Sequence, residues 1–252
     1  MTVRPATGQS VRGGDESGRC RSRPLDPTNL LSPAPRIRLC LCVRWGDFGH
    51  RRCSGPCRYA RLAGRLAADL GCDAVVGHSL AANVALEMVA AGEFAGPLVL
   101  LSPSFSRKDE SMVPRALDRL SRVLGHLPFA LMLRIIGPAM KSSLPPGRRD
   151  ALIAELRKND PRFLRRQTRR YLEYLDRHGS LVPRLCDSGV SAWVVFGEHD
   201  DVGLTGDERG ALEAYPYVSL VTITDAGDFT LNQKPGQIAE LVLNAVKSNT
   251  PL

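Results

Sequence analysis

The turn Gly77-His78-Ser79-Leu80-Ala81 is the segment of this chain best suited to covalent chemistry. It lies between an apolar run, Asp73 to Val76, and a strongly helical run, Ala82 to Ala91. A serine at a sharp strand-to-helix turn is lifted above the C-terminal edge of a sheet, where its hydroxyl can attack a carbonyl carbon. Small residues on either side, here Gly77 and Ala81, permit the strained backbone that such a turn needs. The next residue, Leu80, would offer its backbone N–H to a developing oxyanion, aided by the positive end of the helix. The same string also fits a serine that merely caps an ordinary strand–helix turn.

Two other groupings invite chemistry. Cys40, Cys42, His50, Cys53 and Cys57 stand close together but lack the C-x2-C spacing of zinc knuckles, so no metal is expected. Arg165, Arg166, Arg169 and Arg170 could grip an anion. Glu155, Asp160, Glu173 and Asp176 interleave with them, the pattern of a solvated helix face.

The elements that must position Ser79 are read from hydrophobic periodicity. Leu62, Leu66 and Leu70 recur at helical spacing over Tyr59 to Leu70, and Gly71 ends that helix. Short continuous apolar runs at Asp73–Val76, Leu98–Leu101, Val190–Phe196 and Val218–Ile223 alternate with helices, which predicts a parallel sheet buried on both faces. Ile37–Val43 reads as one further strand. Helices are expected around Asp207–Ala214 and Gln237–Val246. Residues 106–182 carry helical patterns and no strand, so they read as an inserted helical cap. One face there is Leu117, Leu120, Val123 and Leu124, and further helices start at Ala151 and Phe163. The expected organisation is an atypical, partly disordered segment over 1–58, a core over 59–105 and 183–252, and the cap over 106–182.

Charge and cysteine are concentrated in the first segment. Residues 1–60 hold 11 arginines against 4 acids, a net +7, while the other 192 residues hold 23 basic and 22 acidic groups, a net +1. A basic tail supports only non-specific, salt-sensitive binding, so no specific nucleic-acid partner is expected. Seven cysteines, an odd number, without an N-terminal apolar stretch argue against a disulfide framework and make the cytosol the expected compartment. No apolar run approaches the ~18–20 residues of a membrane span.

From about Tyr59 to Val246 the chain resembles a bacterial α/β-hydrolase, in the stretches GHSLAANVALEMVA, LVLLSPS, VVFGEHDDVGL and DAGDFTLNQKPGQIAELV. The resemblance implies an α/β fold, a mostly parallel central sheet flanked by helices, with a helical cap and incomplete or irregular N-terminal strands. It makes Ser79 the nucleophile, with Leu80 N–H in the oxyanion hole. Asp200 of Gly197-Glu198-His199-Asp200 becomes the catalytic acid, with Asp201 as its neighbouring alternative; both could equally be turn aspartates. It implies no metal and no organic cofactor, and a small-molecule ester, lactone or amide as substrate or ligand.

The chain departs from the family pattern twice. In Ala226-Gly227-Asp228-Phe229, Asp228 fills the position where the family has its histidine. A carboxylate with an ordinary pKa of ~3.9 is a poor base for a serine hydroxyl. Asp228 would also face Asp200, which should raise one of the two pKa values. The histidines at 50, 78, 126, 178 and 199 all precede the last strand. Upstream, residues 1–60 contain no His-Gly dipeptide for the second oxyanion N–H, and only Arg44–Arg51 is similar to a glycine-rich family loop. The expectation is therefore a serine-type hydrolase impaired at Asp228, or a non-catalytic relative that binds a ligand or protein partner.

Overall fold

The computed structural model describes residues 39–41, 56–139 and 146–248, all within the unit Ile37–Leu252. The expectations for residues 1–38, for the loop after the first strand, and for His50 and Cys53 lie outside the described residues.

Five parallel strands form one sheet in the order β1 (Leu39–Leu41), β2 (Ala74–His78), β3 (Leu98–Leu101), β4 (Ala192–Gly197) and β5 (Val218–Ile223). Alternation within the strands decides which core each residue enters. Val75, Leu98, Leu100, Val194 and Phe196 join one cluster; Val76, Val99, Leu101, Val195 and Ile223 join another. Both sets are buried, which is why these strands read as continuous apolar runs.

The strand order advances in one direction, so right-handed crossovers lay their helices on one face. Helices α1 (Pro56–Leu70), α2 (Leu80–Ala90) and α8 (Gly206–Glu213), with residues of the insertion, contribute to that face's core. The opposite face must be covered by the chain beyond β5. After the short α9 (Thr230–Gln233), the long α10 (Pro235–Ser248) does this with Ile238, Val242 and Ala245.

Helix α1 turns the other way from its leucine stripe. It buries Ala60, Ala63 and Ala67, while Leu62, Leu66 and Leu70 are exposed. Alanine allows the close approach of α1 to α2, and a Cβ on Gly64 would stand 2.7 Å from the Glu93 Cβ. Volume at the helix contact, not hydrophobicity, selects the inward face here.

Between β3 and β4 the described residues form five helices: α3 (Met112–Leu124), α4 (Leu127–Ala139), α5 (Pro146–Leu156), α6 (Pro161–His178) and α7 (Val182–Asp187). Helix α6 begins cleanly because the Asp160 side chain accepts from Arg162 N and Pro161 opens the first turn. It ends at Gly179, φ 69°. Polar contacts pin this insertion to α2. Tyr171 donates to Asn83 Oδ1 at 3.2 Å and Tyr174 to Glu87 Oε1 at 2.7 Å. Arg184 on α7 grips the buried Glu87 carboxylate with two bonds of 2.8 Å. The fork geometry suits a carboxylate taken out of water.

The apolar residues Leu120, Val123 and Leu124 of α3 point outward, and Asp118 and Ser121 are its buried residues. Asp118 accepts from Arg122 and, across the helix contact, from Arg169 of α6, both at 3.2 Å. One arginine of the α6 cluster is therefore occupied by a structural acid, while Arg166 and Arg170 are solvated.

The turn after β2 depends on Gly77, where a Cβ would stand 2.4 Å from the Ala81 oxygen and 2.6 Å from the Ala82 Cα. Backbone cannot retreat from a methyl as a flexible side chain can. Gly77→Ala should therefore cost about 1–3 kcal/mol in thermal or denaturant unfolding. Gly210→Ala, at a helical site with nothing within 4 Å, should be neutral or stabilising by up to about 1 kcal/mol. Equal effects of the two substitutions would show that the turn is not sterically tight.

Candidate active site

Among the described residues three non-glycine ones adopt positive φ: Ser79 at 53°, Ser102 at 49° and Asp225 at 49°. Ser79 follows the last residue of β2, Ser102 follows the last residue of β3, and Asp225 lies two residues beyond β5. Strain of order 1–3 kcal/mol per residue is thus concentrated at the C-terminal edge of the parallel sheet. That edge is where α/β sheets hold their ligands.

Ser79 has φ 53° and ψ −124° and is exposed. The strand ladder holds it, Ser79 N donating to Leu101 O at 2.9 Å, and Ala82 N donates back to Ser79 O at 2.8 Å. It stands at the N-cap position of α2, but its side chain makes no capping hydrogen bond to the helix. Leu80 opens α2, and first-turn N–H groups have no acceptor within their own helix. They are the groups that would face an anion at this turn.

Asp200 lies in the turn after β4. Its Oδ1 accepts from Val202 N at 2.9 Å, and its Oδ2 accepts from the Ser102 hydroxyl at 2.5 Å. The Ser102 hydroxyl is also 3.5 Å from Asp228 O, too far to compete. Ser102 is buried, and nothing in the sequence marks it, because Ser102-Pro103 reads only as the stop of a strand. The signal that could reveal it is a hydroxyl directly after a buried strand adjacent to the elbow strand.

Asp228 comes into the same place from the loop after β5. Its Oδ1 accepts from Asp201 N at 2.8 Å, and its carboxyl meets that of Asp200. Burial, followed by the neighbouring Asp200 carboxyl, pushes Asp228 up to about 6; the bond from Asp201 N and the nearby His78 oppose this. The loop is held from below by close backbone packing. A Cβ on Gly197 would stand 2.4 Å from Ala226 O, His199 N donates to Ala226 O at 2.8 Å, and Gly227 N donates to Gln233 Oε1 at 2.8 Å.

His78 Nε2 lies 2.6 Å from Asp228 O. A carbonyl only accepts, so Nε2 carries the proton. Burial of the ring lowers the His78 pKa, offset in part by this bond and by the Asp228 charge. His78 is therefore a neutral brace between the elbow and the Asp228 loop. The other described histidines are placed differently. His199 is exposed in a group with Glu198 and Asp225, and His178 stacks edge-on against Tyr174 at 4.9 Å. His126 lies in the turn between α3 and α4.

Phe229, next to Asp228, packs with Ile136, Leu152, Ile153 and Leu156 of α4 and α5. The helical insertion thus brings an apolar cluster to the residue beside the Asp228 carboxyl.

A carboxyl with a folded pKa near 6 and an unfolded value near ~3.9 contributes stability that is complete below about pH 4 and lost as pH rises through about 6. Asp228→Asn keeps the shape and cannot ionise. Its Tm should therefore gain on the wild type as pH is raised from about 4 to about 7. A difference constant across that range would show that Asp228 ionises as easily folded as unfolded.

The profile of the alpha/beta hydrolase family matches residues 22–241, reaching well upstream of Tyr59. Among curated proteins none is significantly similar in sequence. Among solved structures, a thermophilic esterase is 21% identical over 81% of this chain and 77% of its own, with a TM-score of 0.58. A hydrolase from Oleispira antarctica is 16% identical over 81% and 76%, TM-score 0.60. The N-acyl homoserine lactonase AidH, complexed with N-hexanoyl homoserine, is 16% identical over 79% and 72%, TM-score 0.57. With a strained serine between β2 and α2, a parallel sheet, and a family match over most of its length, this chain belongs to the alpha/beta hydrolase family.

Proposed function

We propose that this protein is a serine-type hydrolase, built for small ester, lactone or amide substrates, whose turnover is severely reduced because Asp228 stands in the place of the histidine. Ser79 is the nucleophile in this reading, Leu80 N–H belongs to the oxyanion hole, Asp200 is the acid, and the insertion acts as the cap. The apolar cluster around Phe229 supports an acyl or alkyl group on the substrate side. The free thiol of Cys186 fits a reducing compartment such as the cytosol.

The observation that carries the reading is the engagement of Asp228. A histidine serves a triad because its two nitrogens lie on opposite sides of a ring, one meeting the acid and the other meeting the serine. The carboxyl of Asp228 faces Asp201 N with one oxygen and meets the Asp200 carboxyl. It also ends closer to its own backbone than the far nitrogen of an imidazole would. A pKa near 6 is better matched to proton transfer than an ordinary carboxyl, but one oxygen of the group is already taken up by the Asp201 amide of the acid turn. The same engagement favours a second reading, a ligand-binding relative that turns nothing over.

Hydrolysis of p-nitrophenyl butyrate should be near background in the wild type. It should rise by about 10²–10⁴-fold in Asp228→His, the usual contribution of a positioned general base. Adding Ser79→Ala to Asp228→His should abolish the gain. Substantial wild-type turnover that is lost in Ser79→Ala would refute the impairment. A silent Asp228→His that still folds and binds the substrate would favour the non-catalytic reading.

A further inference from the structure

We propose that the outer face of α3 and α4 docks on the surface of an anionic lipid bilayer. This face lies on the insertion and its binding does not depend on turnover at Ser79.

The outward residues of the two helices are apolar to an unusual degree. Leu120, Val123 and Leu124 on α3 lead through the short turn into Leu127, Leu131 and Ile135 on α4. These six are 50–88% exposed, Val123 the most. Leu127, Leu131 and Ile135 recur every four residues, a single stripe along α4. Scattered exposed leucines are ordinary, but a stripe continued across two adjoining helices is not. Helix α3 reaches this state by turning its polar residues Asp118 and Ser121 inward, so the apolar face is held outward by the Asp118–Arg169 ion pair to α6.

Charge selects the occupant. Arg115, Arg119 and Arg134 are exposed on the same two helices, and Arg122, also exposed, is paired with Asp118. The one acid between residues 112 and 139 is Asp118, which is buried. The surface is therefore apolar and cationic with no exposed carboxylate among these residues. A second copy of this face would set arginines against arginines. The chain's own residues 1–60, at a net +7, would repel it as well. Anionic headgroups satisfy both halves of the surface: leucine and valine enter the headgroup–acyl boundary while arginines extend to the phosphates. No described helix is long and apolar enough to cross a membrane, so the geometry is one of lying on the surface.

The full chain should float with vesicles of phosphatidylcholine and phosphatidylglycerol, and less as salt is raised. Val123→Glu with Leu131→Glu, both at exposed positions, should leave the Tm unchanged and weaken binding by about tenfold or more. Unchanged binding in that double variant would assign any vesicle affinity to the basic N-terminal segment and overturn the proposal. Failure of the wild type to float would overturn it too. So would a dimer in solution that the double variant dissociates while vesicle binding is unaffected.

Discussion

Helix α2 comes down onto the end of β2 so closely that Gly77 cannot carry a side chain, and the backbone must reverse within the next two residues. Ser79 takes the strain of that reversal, at φ 53°. The rest of the edge is arranged around this approach. Ser79 N is tied to Leu101 O, so the elbow is registered against β3. Ser102 then begins where Leu101 ends, reverses in its turn, and reaches Asp200. The β4 turn is registered in the same way against the β5 loop through Gly197 and Ala226. Relaxing the first turn would loosen each of the others, because every one is fixed through backbone contact with its neighbour. Such strain persists only where surrounding structure over-determines it, and here α2 is fully engaged on its other side by the insertion.

The electrostatics of the edge result from the groups these turns bring together. Asp200 is a fully used carboxylate, with a hydroxyl on one oxygen and an amide on the other. Asp228 arrives beside it with one amide partner. Two carboxyls in a half-buried site do not both ionise freely, and the less well served one takes the raised pKa. His78 relieves the pair only in part, since burial lowers its own pKa and its Nε2 proton is committed to the Asp228 carbonyl. The ionisable groups at this edge thus hold one another.

Much of this is legible in the sequence because the relevant signals are local. The elbow turn, the three apolar strands β3, β4 and β5, and the loop that carries Asp228 each depend on residues adjacent in the chain. Their parallel order comes from helices placed between strands. The features that escape the sequence depend on neighbours far apart in it. Ser102 matters because it meets Asp200 at a separation of 98 residues, and no short pattern records that contact. The leucines of α1 have helical spacing, yet the inward face is alanine because α2 lies so close. Helix α4 is hard to read because its pattern is apolar nearly all round, with Phe129 and Leu133 inward and Leu131 and Ile135 outward.

Helix α3 shows how an inverted face acquires a physical meaning. An apolar face normally sets the orientation of a helix, since its burial outweighs any single polar contact. In α3 the outcome is reversed, with Asp118 inside and Val123 outside. Asp118 is held by arginines on α3 and α6, and stripping either away would leave a buried charge in need of a partner. Glu87 and Arg184 work in the same manner at the base of the insertion. Helices α3, α6 and α7 are therefore held by buried carboxylates as well as by apolar packing, and the outer leucines of α3 and α4 are left without a share in the fold's own core. A chain that uses buried ion pairs to keep an apolar face in solvent retains that face for contact with something other than itself.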